Sequence, residues 1–209
     1  MPSFDCVREV AIINSPRVAQ LLGMFDIPPS LVSREEYHID MPFDERDWNI
    51  GLIVGPSGSG KSTVAREVFG ASVVEASDWD ANRAIIDGFP ALCSITLVVN
   101  LLSSVGFSSP PFWLRPYRVL STGQKFRVAI ARALSEDRAI TVIDEFTSVV
   151  DRRVAQIGSA AIAKTVRRRG QKFVAVTCHY DVLDWLQPDW VYEPHLRRFQ
   201  WRCLQQHPG

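Results

Sequence analysis

The chain has 209 residues, 46% of them hydrophobic, with Lys+Arg 23 against Asp+Glu 23 and a formal net charge of zero. That is enough for one sizeable core, and it excludes a highly charged disordered chain and a uniformly basic nucleic-acid coat. No uncharged apolar run reaches the roughly 18 residues of a membrane span; no basic-then-apolar leader opens the chain; and Cys6, Cys93, Cys178 and Cys203 form no CxxC pair, so reduced thiols in a cytoplasm are expected.

In chain order, Val7–Ile13 reads as a short strand, Arg17–Phe25 as a helical turn or loop ended by Pro28–Pro29, and Tyr37–Phe43 as a second strand. Asn49–Val54 is a short buried strand running into Gly55–Thr63, and Ser62–Phe69 has helical character. Ser72–Ala76 and Arg83–Ile86 are further strand candidates, Ser94–Val105 a helix or apolar layer, and Gly106–Pro116 a loop. The spacing of Phe126, Ala129, Ile130 and Ala133 predicts a helix over Thr122–Ser135. Ala139–Ile143 is a buried strand, Arg152–Arg169 a long helix closed by Gly170, Phe173–Thr177 a strand and Asp181–Leu186 a short helix. Trp190–Tyr192 and Arg198–Arg202 form a closing strand pair. Strands alternating with helices predict an α/β fold with a mainly parallel sheet flanked by helices, after an N-terminal antiparallel β part.

Charge is uneven. Residues 1–104 hold 14 acidic and 7 basic residues, and residues 105–209 hold 9 acidic and 16 basic. Such halves neutralise each other within one fold, favour head-to-tail contact with a second copy, or offer a basic face to a nucleic acid. The cation–aromatic segment His195–Arg202 and the run Arg167–Arg169 with Lys172 fit either a nucleic-acid surface or a solvated hairpin with extended arginines.

Gly55-Pro56-Ser57-Gly58-Ser59-Gly60-Lys61-Ser62, with Thr63 after it, fits G-x-x-x-x-G-K-[ST] in full and lies between a strand and a helix. The glycines let backbone N–H groups curl round a phosphate, and the helix N-terminus adds its positive end. Lys61 is a point charge for the β- and γ-phosphates, and the Ser62 hydroxyl suits Mg²⁺. A second pair, Asp144-Glu145, ends the apolar run Ala139–Ile143. Asp144 at a strand tip can reach Mg²⁺ through water, and Glu145 can polarise an attacking water.

Leu120-Ser121-Thr122-Gly123-Gln124 precedes the helix carrying Arg127, Ala131 and Arg132; Ser148–Asp151 follows the acidic pair; His179 follows the next strand. This set, in this order, resembles the ATP-binding cassette (ABC) ATPases across roughly Val7 to Trp190. Leu120–Gln124 is similar to the LSGGQ signature with Thr122 for its first glycine, Glu145–Asp151 to the catalytic glutamate and D-loop, and His179 to the switch histidine. The resemblance implies a P-loop NTPase of a single domain spanning 1–209, with a shortened helical subdomain near 90–135 and a C-terminal hairpin or tail from 190. It implies ATP and Mg²⁺ as ligands and hydrolysis as the activity. It also implies a head-to-tail homodimer in which Ser121, Gly123 and Gln124 meet the γ-phosphate held by the other copy. Glu145, His179 and Lys61 are then the catalytic candidates.

The chain also departs from that family. Lys61 and Ser121 are only 60 residues apart, and no Gln lies between Gln20 and Gln124, so the family's Q-loop glutamine is missing and Asp87 falls near its place as a candidate metal-side carboxylate. Phe146 stands for the usual proline, and Phe25 is the candidate adenine-stacking aromatic, with Tyr37 as the alternative. The expected protein is a small, stand-alone cytoplasmic ATPase serving an unidentified effector. The alternatives are the ATP-binding subunit of a membrane transporter, against which the missing glutamine counts, a nucleic-acid maintenance or defence ATPase, and a small-molecule P-loop kinase.

Overall fold

The computed structural model describes residues 3–28, 32–74, 79–136 and 138–202. Strands β1 (Ser3–Ala11) and β2 (Val32–Asp40) pair antiparallel as a separate ribbon, joined through helix α1 (Pro16–Met24). Ser15 starts α1 as its N-cap, its side chain accepting from the Val18 N–H.

The main sheet begins with β3 (Ile50–Val54), followed by α2 (Lys61–Phe69), α3 (Ile95–Ser104), the short α4 (Pro110–Trp113) and α5 (Thr122–Ser135). Then come β4 (Thr141–Ile143), α6 (Arg152–Arg169), β5 (Phe173–Thr177), α7 (Val182–Leu186), β6 (Trp190–Glu193) and β7 (Arg198–Trp201). The order across the sheet is β4-β5-β3-β6-β7. The first four strands are parallel, and β7 returns antiparallel on β6. Every residue of β3 and β5 is buried, as a sheet covered on both faces requires.

One core layer joins the sheet to α3, α5 and α6 through Leu101, Leu134, Phe146, Ile162 and Phe173. The other holds Trp190 among Phe43, Trp48, Phe69 and Phe199. Gly51 in β3 is the partner that lets Trp190 lie flat, because a Cβ there would collide with the indole ring. Phe146, where the resemblance expects proline, donates its N–H to the Val176 carbonyl at 2.8 Å. Proline has no such donor.

Two strand expectations fail. Of Ser72–Ala76, residues 75 and 76 lie outside the described residues, and Val73 makes only an isolated parallel bridge to Val142. Arg83–Ile86 gives one antiparallel bridge, Ala84 to Pro116, and then a 3₁₀ turn at Ile85–Gly88. Among the described residues Val73 lies beside β4 and Ala84 beside Pro116, and neither contact extends into a ladder. The expected loop Gly106–Pro116 contains α4, opened by Pro110 and Pro111 at positions where a missing N–H costs nothing.

Among the described residues no helix is long and apolar enough to cross a membrane.

Candidate functional site

Parallel strands put all their carboxyl ends on one edge of the sheet, and ligands of open α/β sheets bind there. β3 ends at Val54 and delivers the loop Gly55–Gly60; β4 ends at Ile143 and delivers Asp144; β5 ends at Thr177 and delivers His179. The three segments the sequence singled out therefore converge on one rim.

Within the loop, Gly58 and Gly60 have φ of 78° and 82°. These left-handed angles turn the successive N–H groups inward and suit glycine. The Lys61 ammonium donates to the Pro56 carbonyl at 2.7 Å, folded back on its own loop. The Ser62 hydroxyl donates to Asp144 Oδ1 at 3.1 Å, and that same oxygen accepts the Glu145 N–H at 2.9 Å. β5 separates β3 from β4 in the sheet, so this bond spans one strand. Thr63 continues the first turn of α2.

Glu145 is exposed with φ of 54°, and Thr147 is buried with φ of 68°. Such angles are costly for side-chain-bearing residues and gather at functional sites. Between them Phe146 is held by Phe126 and Phe173 at ring distances of 5.5 and 5.7 Å. Thr147 Oγ1 lies 3.3 Å from His179 Nδ1, and the His179 N–H donates to Thr177 Oγ1 at 3.2 Å. Burial holds the imidazole pKa below its ordinary value, the Arg152 charge lowers it further, and Glu145 opposes both. The Arg152 guanidinium is paired with Asp181 of the His179 loop.

Ser121 is the N-cap of α5: it accepts from the Gln124 N–H at 3.3 Å, while Gln124 Oε1 accepts the Ser121 N–H at 3.0 Å. Gly123 faces α6 closely, since a Cβ would lie 3.1 Å from Val154 Cγ1. The signature segment is thus a capped helix start, pinned to the helix that follows the acidic pair.

Two candidates stand apart from this set. Phe25 is the C-cap of α1 and 66% exposed, and it does not line the cavity beside the phosphate loop. Asp87 is exposed in the 3₁₀ turn and shares no hydrogen bond or ion pair with Ser62 or Asp144 among the described residues. Of Tyr37, only its backbone pairing in β2 is described.

Sequence reasoning missed His195. A cavity of about 240 Å³ lies beside the loop, lined by His38, Gly58, Ser59, Tyr192, His195 and Arg197. A Cβ on Gly55 would stand 2.9 Å from Ser59 Oγ and 3.1 Å from His195 Nδ1. The signal was the strand order: β6 lies beside β3, so whatever follows β6 must flank the loop that follows β3. Of the cations that fit either a nucleic-acid surface or a solvated hairpin, two are paired within the chain. Arg167 pairs with Asp189 at 3.0 Å, and Arg198 with Glu193 at 2.5 Å.

The fold is that of a P-loop nucleoside triphosphatase. No protein-family model matches the chain. Among curated proteins it is 26% identical over 157 residues to the cytochrome c biogenesis ATP-binding export protein CcmA of Roseobacter denitrificans, covering 67% of this chain and 75% of that one. It is 28% identical over 170 residues to the energy-coupling factor transporter ATP-binding protein EcfA1 of Geobacillus kaustophilus, covering 62% and 59%. Among solved structures it is similar to the ATP-binding cassette MJ0796, in a dimeric post-hydrolysis state bound to ADP and Pi, with TM-score 0.63, 17% identity and coverage of 85% of this chain and 95% of that one. In fold and in sequence the chain is therefore similar to ABC-type ATPase cassettes.

Proposed function

We propose that this chain is a soluble cytoplasmic ATPase that binds MgATP at residues 55–63, closes head to tail on a second copy and hydrolyses ATP by in-line attack of water. An effector protein then reads the closing and opening of that dimer. The observation that carries this reading is the convergence of Ser62, Asp144, Glu145 and His179 on one sheet rim, with the Ser62 hydroxyl on Asp144 at 3.1 Å.

Each group then has a task. The loop N–H groups and the start of α2 receive the phosphates. Lys61 exchanges the Pro56 carbonyl for phosphate oxygen, a stronger acceptor because it is charged. Ser62 and Asp144 form an oxygen-only pair, the donor chemistry a hard divalent cation prefers, and they would hold Mg²⁺. When bound, that ion would offset negative charge on the β- and γ-phosphate oxygens. Glu145 orients and polarises the attacking water. His179 hydrogen-bonds the γ-phosphate, and its depressed pKa keeps it neutral near pH 7. Ser121, Gly123 and Gln124 contribute a helix start to the γ-phosphate held by the partner. Phe25 and Asp87 have no part in this mechanism.

A second reading, the ATP-binding subunit of a membrane transporter, is favoured by the similarity to CcmA, an ATP-binding export protein, and EcfA1, a transporter ATP-binding protein. The exposed apolar residues Leu92, Ile95 and Leu114 beside α3 and α4 favour it too. The absent Q-loop glutamine weighs against it. Internal pairing of Arg167 and Arg198 weighs against a nucleic-acid partner.

The test is an ATPase assay with and without DNA, RNA and lipid vesicles, run beside Glu145→Gln. Saturable MgATP hydrolysis that the variant loses, without stimulation by any addition, is the expected result. Hydrolysis that needs co-purified integral membrane protein would favour the transporter reading. No hydrolysis under any condition overturns both.

A further inference from the structure

Helix α6 opens with Arg152 and Arg153, directly after its N-cap Asp151. Cations are unfavourable at a helix N-terminus because they face its positive end, so a cation placed there asks for a partner. Arg152 has two. Its guanidinium pairs with the Asp181 carboxylate, and its Cζ lies 4.9 Å from the centroid of the Trp185 ring. Asp181 is two residues beyond His179, and Trp185 belongs to α7, the helix that this loop feeds. The same stretch of chain is tied from the other side, where Thr147 Oγ1 meets His179 Nδ1 at 3.3 Å.

We propose that Arg152 is a positioning residue that clamps the His179 loop to the start of α6, so that His179 is held in line at the rim. This rests on the proposed role of His179 at the γ-phosphate. Arg152 does not reach the reacting atoms itself. Its second contact, on Trp185, fixes the guanidinium plane, which a lysine ammonium matches only in charge. The pair is half-open to water, with side-chain exposures of 46% and 40%, so its removal leaves the core intact. Arg152 also lowers the His179 pKa, which is the same proximity seen electrostatically.

The test compares Arg152→Ala, Arg152→Lys, Asp181→Ala and the double Ala variant. In the nucleotide-free protein at fixed pH, the His179 ring resonances should move in Arg152→Ala and in Asp181→Ala and return only part of the way in Arg152→Lys, which restores the charge but not the contact on Trp185. Each single Ala variant should lower kcat about 10- to 100-fold with KM for ATP within about twofold, as loss of alignment without loss of binding does. The double variant should be no slower than the worse single one, since the two residues act as a pair. Unmoved His179 resonances, a wild-type kcat in Arg152→Ala, or losses that multiply in the double variant would each overturn the clamp. A wild-type chain without ATPase activity would instead overturn the functional reading, and the resonance comparison would still decide whether Arg152 holds the loop.

Discussion

The Ser62 hydroxyl and the Asp144 carboxylate stand 3.1 Å apart although 82 residues separate them in the chain. They come from the ends of β3 and β4, two parallel strands divided by β5. Their bond joins the phosphate loop to the acidic pair.

Replacing Lys61 with Ala removes the one cation within residues 55–63. A hydrogen bond to a charged group contributes about 1.5–3 kcal/mol. ATP affinity should therefore fall about 10- to 100-fold. Titration calorimetry with MgATP measures it, and an unchanged Kd removes the phosphate-loop assignment.

Glu145→Gln should stop turnover and keep ATP bound. Glu145 is exposed directly after Asp144 at the rim, and an amide there is a far poorer base than a carboxylate. Loss of a positioned base costs about 10²–10⁴ in rate. The trapped complex should be a dimer of about 47 kDa, twice 23.5 kDa, by light scattering in MgATP. A monomer in saturating MgATP, or normal hydrolysis, contradicts the shared-site mechanism.

Ser121 has two tasks that substitution can separate. As N-cap it stabilises α5 by about 0.5–2 kcal/mol. Ser121→Asn keeps a capping oxygen and should leave the unfolding midpoint nearly unchanged. Ser121→Arg loses the cap and also blocks the partner's γ-phosphate, so hydrolysis should vanish while ATP binding by the monomer survives. Wild-type turnover in Ser121→Arg would refute the composite site.

His179 should titrate below about 6.5, the ordinary histidine value. Arg152→Ala should raise its midpoint, and Glu145→Gln should lower it further, because the first removes a repelling cation and the second an attracting anion. A folded-state pKa below the unfolded one means the unfolded chain binds the proton more readily. Stability from this group is therefore present above about pH 6.5 and lost as pH falls through the depressed value. NMR titration of the ring reads both shifts, and shifts of opposite sign would rule out the stated arrangement.

Gly51→Ala tests the fold away from the chemistry. The added methyl meets the Trp190 indole, which is itself stacked on Phe43 and Phe69. Overpacking of this kind costs about 1–3 kcal/mol. The denaturant midpoint should drop with no change in ATP affinity per folded molecule. An unaltered midpoint would mean that the ring moves freely.

The local chemistry of this protein was legible in its residues. The phosphate loop, the acidic pair after an apolar run, and the helices Thr122–Ser135 and Arg152–Arg169 all carry short-range signals: glycine spacing, an apolar run, helical periodicity, a closing glycine. Those signals act over a few residues, and backbone geometry alone reads them. Adjacency was not legible. That His195 flanks Gly55, that Arg152 grips Asp181, that Arg167 is tied to Asp189, and that Phe25 sits exposed on α1 all depend on the order β4-β5-β3-β6-β7 and on how the helices lie across it. Strand order is decided by which hydrophobic faces bury each other over the whole chain, and among the described residues Val73 and Ala84 take part only in single bridges. The sequence by itself therefore determined which groups can do chemistry, and only the tertiary structure decided which of them meet.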